Sequence, residues 1–176
     1  MLKHSKISTG LFLILAMLTG IAQAELRIGF VNTQMLLKQA PQATSATARL
    51  QEEFAPRERD LIEMQKQLRA FEEQLARDAA VMADAERQTL EREVLTIKRD
   101  LKRNQDMFRE DASLRRNEEL AKLQRLIVET IRALAVEQGF DLIVTDGVLY
   151  ASDNVNATAL VLDRLTQLFD STAQGN

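Results

Sequence analysis

Residues 50–75 read LQEEFAPRERDLIEMQKQLRAFEEQL, and the spacing within them decides the fold. Phe54, Leu61, Leu68 and Leu75 recur every seventh residue, and Leu50, Met64 and Phe71 hold the second apolar position of the same heptad. Apolar side chains at that spacing form a coiled-coil seam, because they keep returning to the face that meets a partner helix. Extended backwards, the register places Thr47 in the seam, and two further slots are charged, Arg57 and Asp78.

A second seam begins after position 85. Leu90, Val94, Ile97, Leu101 and Phe108 alternate by four and three residues, with Asn104 in one slot. The stretch from Arg109 to Glu119 (REDASLRRNEE) is then nearly all polar, so the helix there is either solvated on all sides or diverging from its partner. Periodicity resumes at Leu123, Ile127, Ile131 and Leu134.

Between the seams, residues 78–84 read DAAVMAD, which suits the tip of an antiparallel hairpin. Asp84 is placed to cap the second helix and Glu86 to sit favourably in its first turn. One continuous helix dimerising through a single long seam is the alternative. Chain geometry favours the hairpin. At ~1.5 Å per residue a helix over 34–78 is roughly 65 Å long and one over 85–138 roughly 80 Å. Only a fold-back returns the flanking β-prone segments to one end.

Those segments are LRIGFV (26–31), with Ile28, Phe30 and Val31 suited to a buried strand, and Phe140–Thr145 (FDLIVT). Asp146-Gly147 reads as a tight turn leading to a partner strand at Val148–Ala151. A last amphipathic helix is expected over about 157–169, with Leu160, Val161, Leu165 and Leu168 on one face. Residues 33–138 contain no glycine, as a long helical region requires. Pro41 ends a short helix, with the long one restarting near Ser45. Pro56 either kinks or breaks the first arm or begins a new helical turn.

The fold class is therefore α+β: a long helical hairpin arm (42–138, tip near 78–84) on a small β-body made from residues 25–41 and 139–176. The β-segments and last helix amount to about 50–60 residues, a core small enough to call for association with further copies.

The N-terminus carries a different message. Lys3, His4 and Lys6 precede the apolar run LFLILAML (11–18) and the small-residue triplet Ala22-Gln23-Ala24. That order is a secretory signal peptide cut after Ala24, with Ala22 and Ala24 in the cleavage motif. Its apolar core of about 10–12 residues is short for a membrane span, which takes about 20. Cleavage removes Lys3 and Lys6 from the 23 basic residues, leaving 21 against 26 acidic ones, a net charge of −5. It also removes His4, the one histidine, from a chain without cysteine or tryptophan. Ser-His-Asp or Cys-His nucleophiles and Cys/His zinc sites cannot be built from what remains. No phosphate-cradling loop is present, so neither an enzyme nor a cofactor is expected.

Arg27–Asn32 (RIGFVN), Glu53-Phe54 ahead of Pro56, Arg115–Glu119 with Lys122-Leu123, and Phe140–Val144 followed by Val148-Leu149-Tyr150 together resemble the Skp/OmpH family of periplasmic chaperones. The resemblance spans essentially the whole mature chain and rests on the order of these pieces more than on any one. It implies a jellyfish-shaped homotrimer whose hairpins surround a cavity. Unfolded outer-membrane β-barrel proteins would be held there without ATP in the periplasm. Val81 and Met82 at the tip, and Met64, Met107 and Phe108 along the arms, are the candidate client contacts. Met64 and Phe108 read first as seam filling, and as client contacts only second. One departure is charge: family members are typically basic, and this mature chain is acidic. Its basic residues nevertheless cluster as Lys98, Arg99, Lys102 and Arg103, then Arg109, Arg115 and Arg116. The resemblance implies lipopolysaccharide or anionic-lipid contact near 108–116, while a charge run on a helix is also what a solvated face looks like. A structural envelope scaffold would use the same heptads without a client. A nucleic-acid role is disfavoured by export, acidity and the lack of a sustained basic stripe.

Overall fold

The computed structural model of the chain describes residues 26–174. The expected leader, with Ala22 and Ala24, lies outside the described residues.

The chain enters through strand β1 (Ile28–Phe30) and turns at Asn32 into helix α1 (Thr33–Gln39). The Asn32 side chain accepts a hydrogen bond from the Met35 amide, which satisfies one of the donors a helix start leaves open. Ala40 is extended (φ −60°, ψ 134°), the conformation a residue before proline prefers, and Pro41 opens helix α2 (Pro41–Asp78). The long helix thus restarts at Pro41 itself rather than near Ser45. The ring's fixed φ suits the first helical position, where no donor is lost. Pro56 sits within α2 and does not break it, although its missing N–H leaves the Glu52 carbonyl without its helical partner.

The turn comes at 79–83, where the Asp78 carbonyl accepts from the amides of Val81 and Met82. Helix α3 (Asp84–Gln138) then runs back for 55 residues. Its cap is Ala83, which offers no side-chain bond. Asp84 lies one position inside and contributes charge in the first turn, together with Glu86, instead of the expected cap. Gly139 ends α3 in the left-handed conformation (φ 67°), which lets the Phe140 amide reach the Ala135 carbonyl at 2.9 Å.

The single continuous helix is thereby excluded, and the fold-back has the expected result at its far end. Strand β2 (Leu142–Val144) pairs parallel with β1, in the register Ile28 with Leu142, Gly29 with Ile143 and Phe30 with Val144. The local hairpin expected at 140–151 does not form. Asp146 is drawn to the start of α1, where its carboxylate accepts from the Thr33 hydroxyl at 3.0 Å. Val148–Ala151 is not a strand, and Leu149 and Tyr150 are exposed. After a 3₁₀ turn (Asp153–Val155), Asn156 makes a bridge to Phe30, so β1 is flanked on both sides.

Helix α4 (Thr158–Gln174) closes the body. Its buried face is Val161 and Leu165, with Thr158, while Leu160 and Leu168 are 38% and 40% exposed and do not belong to it. Val161 and Leu165 pack with Val31, Leu36, Ile127 and Leu134 in the main core, which draws on β1, α1, the end of α3 and α4. The arm itself buries much less. Phe54 is the one buried residue of α2, whereas α3 buries Leu90, Val94 and Leu101 along the seam.

Two substitutions test this distribution by urea unfolding. Leu165→Ala should cost about 2–5 kcal/mol, as fully buried leucines do. Pro56→Ala should raise stability by about 1–3 kcal/mol, because it restores a helical hydrogen bond at an exposed position.

Candidate functional site

Two of the charged and polar seam slots, Arg57 and Asn104, have specific cross-helix partners. The rings of Phe54 and Phe108 meet edge to face, 5.5 Å between centroids at 89°. The Arg57 guanidinium lies 5.6 Å from the first ring and 6.0 Å from the second, and bonds Asp111 at 2.8 Å. Asn104 donates to the Met64 sulfur at 3.4 Å.

Toward the body, the same pairing extends into a ladder. Arg49 meets Glu119 (3.1 Å), Glu53 meets Arg115 (3.2 Å) and Arg57 meets Asp111 (2.8 Å). Each helix steps by four residues and alternates in sign, plus–minus–plus on α2 against minus–plus–minus on α3. This is the stretch where the apolar seam lapses. Pairs this exposed contribute about 0–1 kcal/mol each, so their main effect is on register. Arg115 is the most strongly held: Glu53 grips it through two nitrogens and Glu118 adds a third bond, which raises its pKa above the ordinary value. Glu119 is the most enclosed. Bonds from Lys122 and then Arg49 hold its carboxyl below the usual carboxylate range, against the opposing effect of burial.

On a helical wheel Arg49, Glu53, Asp111 and Arg115 fall to one side of the line along which α2 and α3 face each other. Toward the other side lies an open groove of about 640 Å³, of which Glu119 of the ladder is itself a lining residue. Leu50, Phe54, Phe108, Leu120 and Leu123 supply its apolar wall, and Ala43, Ala46 and Ala112 give it width. Gln51 and Glu58 stand on the α2 rim, Arg109 and Arg116 on the α3 rim. Over the polar interval α3 thus stays joined to α2 by ion pairs instead of being solvated on all sides.

The candidate residues are distributed over several places. Met64, Met107 and Phe108 come together in a smaller recess with Arg57, Leu61 and Asn104. Met107 is half exposed, while Met64 and Phe108 are engaged in the seam. Val81, 86% exposed, stands apart at the tip beside the partly covered Met82. Lys98, Arg99, Lys102 and Arg103 line one shallow surface with Asp106 and Glu110. Most of the basic residues are already paired: Lys98 with Glu72, Lys102 and Arg109 with Asp106, and Arg103 with Asp100. Arg99 bonds Leu95 and Thr96 instead, and Arg116 has no ion pair among the described residues. Neither the groove nor the ladder was anticipated from the sequence. The available signals were the alternating charges at 49, 53, 57 and at 111, 115, 119, and the alanines facing the seam.

The family described as outer membrane protein (OmpH-like) matches residues 27–165, which takes in both strands, the whole arm and half of α4. The chain belongs to the OmpH-like family. A curated relative, the chaperone protein Skp of Pectobacterium atrosepticum, is 28% identical over 159 residues, covering 90% of this chain and 96% of its own. The crystal structure of an OmpH-like outer membrane chaperone from Caulobacter crescentus shares the fold at a TM-score of 0.72 with 12% identity, over 82% of this chain and 86% of the other. Membership makes the OmpH-like chain a chaperone and not an enzyme. Among the described residues no helix is long and apolar enough to cross a membrane.

The depressed Glu119 carboxyl has a pH consequence with a definite sign. A group whose folded pKa lies below its unfolded value adds stability above the ordinary carboxylate range and loses it as pH falls through the lowered folded value. Between pH 6 and pH 3 the urea midpoint should therefore fall further for the wild type than for Glu119→Gln. Parallel curves would show that the Arg49–Glu119–Lys122 cluster adds no folding energy.

Proposed function

We propose that the protein is an ATP-independent holdase of the periplasm, which binds unfolded outer-membrane β-barrel proteins and keeps them from aggregating in transit. The observation that carries this reading is the arm itself. It is a long helical hairpin with few buried residues and an open apolar groove, and it also exposes Val81, Met107, Leu114 and Leu120. A rigid scaffold would gain nothing from leaving such surface in water. A precursor of a barrel exposes alternating apolar residues, and scattered apolar contacts can hold many such segments loosely. Flexible methionines suit that promiscuity, so Met64, Met82 and Met107, with Val81 and Phe108, form the proposed client-contacting set.

Association of three copies around a central cavity fits the body. Leu26, Ile28, Val136, Leu142, Leu149 and Tyr150 are all exposed there, and Ile28 and Leu142 are register partners at one end of the strand pair. A second copy covering them would enlarge a core that is small for a body carrying so long an arm. Any lipopolysaccharide or anionic-lipid contact would draw on Lys98, Arg99, Lys102, Arg103, Arg109, Arg115 and Arg116. Such a ligand must displace the carboxylates that already pair most of them.

Light scattering during dilution of a urea-unfolded outer-membrane barrel, without nucleotide, tests the reading. Scattering should fall with added protein and saturate near one trimer per client. Unchanged scattering from folded, oligomeric protein would leave the envelope scaffold as the better account.

A further inference from the structure

Small side chains are the unexpected feature of the groove at the base of the arm. Elsewhere the seam brings Leu, Met and Phe together, whereas here Ala43, Ala46 and Ala112 leave open space beside it. The ion-pair ladder runs alongside and sets the register of the two helices, and Glu119, in the pair nearest the body, itself lines the groove.

Its dimensions and rims point to an occupant. From Phe108 to Leu123 the α3 wall runs fifteen residues, roughly 22 Å at ~1.5 Å per residue. An extended strand advances ~3.3 Å per residue and turns alternate side chains to one face, so about six or seven residues fit, three of them facing the apolar wall. On the α3 rim Arg116 lacks a carboxylate partner among the described residues, and Arg109 is held only by Asp106 of its own helix. A carboxylate on the occupant would meet Arg116 midway along the slot.

We infer that each arm carries in this groove a discrete binding site for one extended client segment, six or seven residues long, with apolar side chains alternating and an acidic residue beside Arg116. The inference rests on the chaperone reading above and assigns it a location that, among the tip and mid-arm candidates, only Phe108 lines. One arm would grip one strand of the unfolded barrel, and separate arms would grip separate strands.

The chain has no cysteine, so a single one at Ser113, on the groove's α3 rim, is a unique attachment point for a benzophenone; Val81→Cys is the tip control. The probe is a synthetic seven-residue peptide alternating Phe or Leu with Ser, in an aspartate-bearing and a lysine-bearing form, offered to the full mature protein. The aspartate peptide should cross-link at Ser113 at least fivefold more than at Val81 and fivefold more than the lysine peptide. Arg116→Glu, an exposed change that breaks no ion pair in the structure, should reverse the preference. Ala112→Leu should fill the slot and abolish the cross-link. Equal yields at the two positions, an unchanged preference in Arg116→Glu, or cross-links joining two chains of the protein would overturn the inference, the last in favour of a second copy as occupant. Parallel scattering assays separate the two claims. Suppression of aggregation without a Ser113 cross-link removes the groove site and leaves the holdase, and a Ser113 cross-link without suppression does the reverse.

Discussion

Everything in this molecule depends on the parallel pairing of three residues near one end of the chain with three residues more than a hundred positions later. Ile28–Phe30 and Leu142–Val144 cannot meet unless α2 and α3 return to the same level, so the strand register and the helical register constrain each other. That closure orders 111 intervening residues around very few strand hydrogen bonds. The entropy of closing so long a loop grows only logarithmically with its length, and the arm offsets it locally by packing along the whole seam. The β-pair is a clasp, then, and the helical seam is what makes the clasp possible.

The two halves of the structure are stabilised in different ways. The body has a true core, in which Leu36, Val31, Val161 and Leu165 are essentially removed from water. The arm is one layer of helix against one layer of helix, so most seam residues are covered on a single side and remain partly exposed. Leu90, Val94 and Leu101 are the buried exceptions on α3, and Phe54 is the one on α2, where Phe108 and the Arg57 guanidinium enclose it. An arm of this kind can expose apolar surface without endangering the fold, since little of its stability comes from complete burial.

Much of this was legible in the sequence, and the reason is periodicity. Heptads from 50 to 75 and from 90 to 108, separated by a short break, are a strong signal because each residue repeats the same information. The hairpin, the tip and the two β-prone ends follow from that signal together with chain length. What was misread depended on single local choices. Asp146-Gly147 is a good hairpin signal on its own, yet the fold-back brings Thr33 within reach of the Asp146 carboxylate, and a distant strand replaces the adjacent one. Asp84 looked like a cap and stands one residue too far in. On α4, Leu160 and Leu168 share the general apolar side with Val161 and Leu165, but a core reached from one direction buries only the middle of that side.

The polar stretch from Arg109 to Glu119 was opaque for a different reason. Its charges carry no meaning until the antiparallel register is known, and then three of them find an opposite on the other helix: Asp111 with Arg57, Arg115 with Glu53, Glu119 with Arg49. These pairs fix the antiparallel register where the apolar repeat lapses, and beside them Ala43, Ala46 and Ala112 leave an open groove at the base of the arm.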